Sequence, residues 1–389
     1  MKKSFILLMS GCVFAMQLHA ATLHVDSGSS NPLPPYDSWA TAATNIQDAV
    51  DVALPGDTVR VADGVYASGT RITPGHSAMN RLCVTNAVTV ESMNGPESTT
   101  ILGAAGSNGG NDADSVRGVY LSGGAALTGF TVAGGYSRSS GDSYYDQSGG
   151  GVWMTENCVL SNCVARENFA PRYTYSPAEG GGVFLYSGGT VESCRIEENA
   201  ANYGGGVGAY RPASFLRNCI IENNSAGVGG GGVNLIFGTV LTNCTIRGNS
   251  AKEGGGTRLI YNAAYNATVS LDRCILSGNT SEDDGGGAYL SSGGSLNDCV
   301  LTNNVAQDTA GGAFLSNGGT LNRCLVIENV ARGGQSGGIY MNYGGTLNGC
   351  RMARNVSVQS SGGGVYCDSG GTMNNCIMDH NRARDGGGV

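Results

Sequence analysis

Basic charge is what this chain has least of. Lys2, Lys3 and Lys252 are its lysines, and Lys plus Arg total 22 against 30 Asp plus Glu, a formal charge of −8. Without Lys2 and Lys3 that charge becomes −10. Nucleic acid demands basic residues clustered along one face, so it is excluded as a partner. The same acidity argues against electrostatic capture of a polyuronate, which would need basic clusters or bound Ca²⁺ to bridge like charges. Long apolar runs are missing too. The stretch from Phe5 to Met16 is too short to span a bilayer and is broken by Ser10-Gly11. No linker or shift of composition divides the later chain, so one elongated domain is the economical reading.

What fills the chain instead is a glycine-rich repeat. From about Leu160 onward the pattern is Cys, Asn five positions later, a run of Gly, then a small or branched aliphatic residue. It occurs as Cys163 with Asn168, Cys194 with Asn199, Cys219 with Asn224, Cys244 with Asn249 and Cys274 with Asn279. It continues as Cys299 with Asn304, Cys324 with Asn329, Cys350 with Asn355 and Cys376 with Asn381. The Cys-to-Cys steps are 31, 25, 25, 30, 25, 25, 26 and 26 residues. A fixed period of this size means a solenoid, in which each unit buries its apolar face by stacking on its neighbours.

The unit is β, not α. Gly311-Gly312 and Gly318-Gly319 fall within one unit, and each helical Gly costs about 1 kcal/mol relative to Ala. Apolar residues alternate, as Ala313 and Leu315 do, and Cys324 and Val326, which is strand periodicity. At roughly 3.3 Å per residue, 25 residues suit a three-sided turn of parallel strands. The expected fold is therefore all-β: a right-handed, single-stranded parallel β-helix of about 25 residues per coil, the hand following the crossover rule.

Stacking at about 4.8 Å turns equivalent residues into ladders. A corner Asn can donate and accept amide hydrogen bonds with the coils above and below. The Cys column reads as small buried side chains. Buried free thiols, axial disulfides and metal ligation all remain open for it, although parallel Cβ vectors disfavour disulfides.

These units, with their Gly-Gly-aliphatic step and Asn, resemble the polymorphic outer membrane protein-type repeats of pectin-lyase-like β-helix surface proteins. The resemblance covers most of the chain. Cys stands where that repeat often has Phe, and Phe130 alone keeps the aromatic. The stretch Ser38-Trp39-Ala40-Thr41-Ala42, Ile46-Gln47-Asp48-Ala49, Pro55-Gly56-Asp57-Thr58-Val59 and Gly64-Val65-Tyr66 resembles the opening of secreted members. So does Val88-Thr89-Val90-Glu91-Ser92. In that family this implies an N-terminal cap and first coil.

In chain order, residues 1–20 read as a secretory signal. Lys2 and Lys3 form the basic region, and Leu18-His19-Ala20 a cleavage site. The rival is a lipoprotein box at Met9-Ser10-Gly11-Cys12. Residues 21–389 form the β-helix domain. Within it, 21–66 are cap and first coil, with a helix face of Ile46, Ala49, Val50 and Ala53, an Asn45 cap and a Pro55-Gly56 stop. Residues 67–159 are irregular early coils, and 160–389 carry the regular repeat. Because the chain stops inside a unit, at Gly386-Gly387-Gly388-Val389, further coils or a C-terminal anchor or secretion module are expected beyond it.

Pectin-lyase-like folds include lyases, glycoside hydrolases and esterases, so chemistry must be sought. Hydrolysis needs two carboxylates at a set separation. A lyase needs a base, usually with Ca²⁺. Glu282-Asp283-Asp284 is the best acidic cluster. Its slot before the glycines carries Glu179, Lys252-Glu253, Asp308 and Asp385 elsewhere, which reads as a solvated corner. His380 beside Asp379 reads as a surface residue. There is no Gly-His-Gly and no Arg-x-Lys, so no catalytic motif of the family carries over. The loop from Gly109 to Asp114 offers oxygens suited to Ca²⁺, its plainer reading being a solvated turn.

Two features suggest recognition. Long turns occupy the same slot of successive coils, Tyr136–Asp146 and Phe169–Pro177, and would bring Tyr144, Tyr145, Arg172, Tyr173 and Tyr175 together. A column one residue past each Gly-aliphatic step reads Trp153, Phe184, Gly208, Asn234, Arg258, Tyr289, Phe314, Tyr340, Tyr366. By alternation it faces outward, either as a binding track or as self-stacking aromatics. The expected protein is exported, secreted or at the cell surface or outer membrane. It is of adhesin or structural type, binding glycan or a cell-surface protein through the turns and the strip from Tyr289 to Tyr366. A polysaccharide lyase or glycoside hydrolase is the alternative.

Overall fold

The period sets the winding. In the computed structural model, which describes residues 20–172, 178–211, 213–261 and 269–388, each coil lays its strands in register on the coil before it. Ser295–Asn297 pairs in parallel with Thr320–Asn322, and that with Thr346–Asn348, so Leu296, Leu321 and Leu347 form one buried column. Burying each such leucine stabilises the stack by about 2 kcal/mol. Among the described residues such pairing builds sheets of 13, 12, 12 and 7 strands, parallel throughout except that Arg71–Ile72 runs antiparallel to Met79–Val84. The first runs from Thr22–Val25 to Thr372–Asn374, the second from Gly64–Tyr66 to Ile377–Asp379, and the third from Arg71–Ile72 to Val365–Cys367. The fourth, from Ala200–Tyr203 to Val356–Ser357, corrects the three-sided expectation. The residues after each corner Asn are extended and meet their equivalents, as in Val305↔Val330 and Ala306↔Ala331, so a presumed turn is a short fourth side.

Two corners are built alike. A left-handed residue precedes each, such as Arg323 (φ 52°) before Cys324 and Glu328 (φ 57°) before Asn329, and turns the next side chain inward. Inside the Asn corner, Asn279 Nδ2 donates to Ile246 O and to Asn304 Oδ1, both at 3.0 Å, while its backbone N–H also donates to that Oδ1 at 3.0 Å.

The amide ladder is continuous over nine coils. Asn168 Nδ2 donates to Asn199 Oδ1 at 3.0 Å, Asn199 to Asn224 at 2.9 Å, Asn224 to Asn249 at 3.0 Å and Asn249 to Asn279 at 3.0 Å. Beyond Asn279 it continues from Asn304 to Asn329 at 2.9 Å, from Asn329 to Asn355 at 3.0 Å and from Asn355 to Asn381 at 3.0 Å. Asn199, Asn224, Asn249 and Asn355 are as deeply buried as Asn168, Asn279, Asn304 and Asn329, whereas Asn381, in the last coil, is partly exposed. Each buried amide is thus satisfied by the next.

The twelve cysteines among the described residues are free thiols, the column thiols donating to carbonyls, as Cys299 Sγ does to Leu271 O and Asn297 O at 3.3 Å. Cys163, Cys194, Cys219, Cys244, Cys274, Cys299, Cys324 and Cys350 are buried, and Cys376 of the last coil is partly exposed. The glycine run closes the coil into the third sheet. Gly285 is left-handed (φ 67°), and a Cβ on Gly286 would lie 2.5 Å from Val305 O.

At the N-terminus, helix α1 (Ile46–Val52) starts at Asn45, whose Oδ1 accepts from Asp48 N at 2.9 Å. Its Ile46, Ala49 and Val50, with Ala53 beyond, are buried against the first strands. No helix among the described residues is long and apolar enough to cross a membrane. Residues 1–19 of the expected signal 1–20, with Cys12, lie outside the described residues, as do Tyr173 and Tyr175.

Candidate functional site

The outward column of the third sheet divides into three. Strand pairing places Tyr120, Trp153 and Phe184 one above another, then Gly208, Asn234 and Arg258, then Tyr289, Phe314, Tyr340 and Tyr366.

The first part points outward and is nevertheless buried. Trp153 and Phe184 are fully covered because the turn 136–148 folds over them. Trp153 Nε1 donates to Tyr144 O at 2.9 Å, and the Tyr145 ring lies 4.9 Å from the indole. Arg117, itself fully buried, anchors this turn: its guanidinium donates to the carbonyls of Gly149, Tyr145 and Ser148 at 2.8, 2.6 and 2.9 Å. Burial lowers that guanidinium to about 10, with the Asp146 charge opposing. Asp146 accepts from the backbone of Ser77 and Ala78, tying the turn to an earlier coil.

A half-buried tyrosine cluster caps this end. Tyr144 lies 4.3 Å from Tyr210 and Tyr145 4.9 Å from Tyr186, ring to ring, and their hydroxyls pair likewise. The Arg211 guanidinium sits 5.0 Å above Tyr186, and His76 stacks on Tyr145 at 3.9 Å.

Next to the cluster is the polar break, made by two glycines. A Cβ on Gly208 would lie 2.7 Å from Glu179 Cβ, and one on Gly229 would lie 2.3 Å from Arg258 Cδ. Their bare backbones let Glu179 and Arg258 lie over the sheet. Asn234 is fully buried, with Nδ2 3.5 Å from Glu179 Oε2. Arg258 Nε donates to Glu253 Oε2 at 3.2 Å, its guanidinium 5.5 Å from the Tyr203 ring. Glu179 is only 4 % exposed. Burial pushes its carboxyl up to about 8, with the Asn234 hydrogen bond and the Arg258 charge pulling the other way. This corner is therefore not solvated at Glu179. Asp284 is pushed up to about 6 by burial first and the Asp308 charge second. Glu282 is exposed and Asp283 pairs with Lys252 at 3.5 Å.

In the last part the rings stack on one another, Tyr289–Phe314 at 5.1 Å, Phe314–Tyr340 at 4.9 Å and Tyr340–Tyr366 at 5.4 Å, within 16° of parallel. Phe314 is buried between its neighbours at 7 % exposure, which corrects the expectation of a wholly exposed strip. Ring faces occupied by other rings present edges and hydroxyls outward. Arg172 does not join Tyr144 and Tyr145. It is exposed, 3.4 Å from Ser225 Oγ, and lines a hollow of about 190 Å³ with Ser250, Thr280 and Gln307 beside the fourth sheet. What the two long turns share is the Tyr136–Phe169 stack, at 4.8 Å. In the 109–114 loop, Asp114 accepts from Ser107 N at 3.0 and 3.1 Å, so its oxygens serve the turn. Among the described residues no three His, Cys, Asp or Glu side chains are grouped to hold a metal ion.

Sequence reasoning missed Tyr186, Tyr210 and Arg211, and read Glu179 as a solvated corner. The available signal was Gly208, a glycine interrupting an otherwise large-residue column.

The winding defines a right-handed parallel β-helix. The chain belongs to the family described as right handed beta helix region, whose model matches residues 110–272 and 151–349, more than half its length. No curated protein matches it. Among solved structures it is similar to a pectate lyase (14% identity, TM-score 0.39, 92% of this chain and 79% of that one). It is also similar to the A-module of a mannuronan C-5 epimerase from Azotobacter vinelandii (13%, 0.42, 87% and 92%). A polygalacturonase from Erwinia carotovora ssp. carotovora matches at 13% and 0.34, over 92% and 96%. At such identities the likeness is one of fold.

Proposed function

We propose that this chain is an exported β-helical surface or secreted protein that binds a glycan on its third face, at the tyrosine cluster and the polar break beside it. The observation that carries this reading is the cluster itself. Tyr144, Tyr145, Tyr186 and Tyr210 are half-buried, so rings and hydroxyls are held in place with part of their surface left to solvent. Such rings suit the apolar face of a sugar, and phenols and a guanidinium suit its hydroxyl rim. The column from Tyr289 to Tyr366 supports the reading less, because Phe314 within it is buried and brings no hydroxyl, whereas the cluster groups four phenols with the Arg211 guanidinium. Export rests on the signal-like residues 1–20. N-terminal sequencing of protein recovered from the medium or envelope checks it, and an uncleaved cytoplasmic product would remove it.

The binding test is a glycan array with wild type and the double variant Tyr186→Ala, Tyr210→Ala. Loss of a wild-type signal by at least tenfold, with the unfolding midpoint little changed, is expected; an undiminished signal would sink the site. A second reading, a glycoside hydrolase or polysaccharide lyase, is favoured by one observation: Glu179 and Asp284 are both pushed upward, as proton-transferring acids are. Release of reducing or unsaturated ends from any polysaccharide, abolished by Glu179→Gln, would establish it over simple binding.

A further inference from the structure

We propose that Glu179 and Asn234 form a reciprocal acid–amide pair, with the carboxyl carried as the neutral acid, and that this pair gates the third face by pH. Asn234 is fully buried, and its Oδ1 has no hydrogen-bond donor among the described residues. Its Nδ2 faces Glu179 Oε2 at 3.5 Å. A carboxylate only accepts, so an ionised Glu179 would leave that buried oxygen orphaned. A protonated carboxyl supplies the missing donor: its O–H reaches Asn234 Oδ1 while the amide N–H returns to Oε2. Burial favours the same state, since Glu179 is 4 % exposed.

The groups facing Glu179 agree with a neutral acid. Arg258 is the neighbouring cation, but its Nε is already committed to Glu253. Tyr144, from the covering turn, is held above the ordinary phenol value by burial and by Tyr210, and so is uncharged. Ser148 Oγ accepts the backbone N–H of Glu179 and carries no charge. When Glu179 loses its proton, two acceptors face each other and the carboxylate competes with Glu253 for Arg258. Arg258 is then drawn off Tyr203, and the floor beside Tyr210 changes shape and charge. Resting on the glycan-binding reading, the gate has the glycan bound below about pH 8 and released above it, and the acidic balance of the chain, −8 overall, favours a neutral glycan.

Wild-type full-length protein decides the first half by difference infrared spectroscopy. A protonated carboxyl band at about pH 7, vanishing with a midpoint near 8 and missing from Glu179→Gln, is expected; no such band in wild type overturns the pair. Binding to an array of neutral and acidic polysaccharides at about pH 7 and pH 9.5 decides the second half. Wild type should lose neutral-glycan signal at least fivefold at the higher pH, whereas in Glu179→Gln, whatever its absolute signal, the ratio between the two pH values should stay near one. A titrating band with unchanged binding overturns the gate. If no glycan binds at either pH, the glycan-binding reading fails, while the band still decides the pair.

Discussion

The two aromatic stretches of the third sheet occupy one column and point the same way, yet they end differently. Tyr120, Trp153 and Phe184 lie beneath a turn that Arg117 and Asp146 fasten down. Among the described residues no such turn lies over Tyr289, Phe314, Tyr340 and Tyr366, whose rings stack on one another. An outward position on a β-helix is thus not automatically a surface position. What decides is whether a neighbouring coil carries a turn long enough to fold back, and whether a buried donor holds its carbonyls. Between the two stretches, glycine leaves room for a buried acid, and that is where the chemistry gathers.

The comparison can be broken most forcefully at Trp153. Trp153→Ala removes a fully buried indole and should cost about 3–5 kcal/mol. It should also free the turn 136–148 to protease. Unfolding by denaturant with mapped limited proteolysis checks both, and an unchanged cleavage pattern would show that Arg117 and Asp146 hold the turn without the indole. Tyr340→Ala, in the ring-stacked stretch, should cost only about 1 kcal/mol, the scale of a stacked pair, and leave the glycan signal proposed for the tyrosine cluster unchanged. A loss comparable with that of Trp153→Ala would mean the second ladder is as integral as the first.

The smallest change at acid pH, and the sharpest probe of the break, is Glu179→Gln. Burial raises the folded carboxyl from its usual 4.5 to about 8. The folded state then holds a proton that the unfolded state releases, so this contribution to stability is complete below about pH 4.5 and declines as pH rises to 8. Wild type should lose stability across that window relative to Glu179→Gln, and the two curves should run parallel above it. Parallel curves throughout would show the carboxyl to be ordinary.

Much of this architecture is legible in the sequence because a β-helix repeats one local solution. Each coil restates Cys, Asn and Gly-Gly-aliphatic at the same spacing, so a single unit such as Gly311 to Asn329 carries the strand alternation, the corner amide and the closing glycines. The ladder through Asn199, Asn224, Asn249 and Asn355 follows from that spacing alone. Asn45 and the face of Ile46, Ala49 and Val50 mark the terminal helix in the same local way. The fourth side escapes because Val305-Ala306 is too short to show alternation; only pairing with Val330-Ala331 makes it a strand. The site is harder still. Tyr144 and Tyr145 are visible as turn tyrosines, but Tyr186 and Tyr210 look like ordinary strand ends, and Glu179 like one more charged corner.

The period, the direction of every column and the composition of its ladders are consequences of the sequence alone, since each depends on residues within one or two coils. The covering of Trp153, the mutual stacking that hides Phe314 and the burial of Glu179 over Gly208 belong to the tertiary structure. Each depends on where a turn from another coil comes to rest and on how much water it displaces. That displacement is what turns Glu179 from a surface charge into a buried acid.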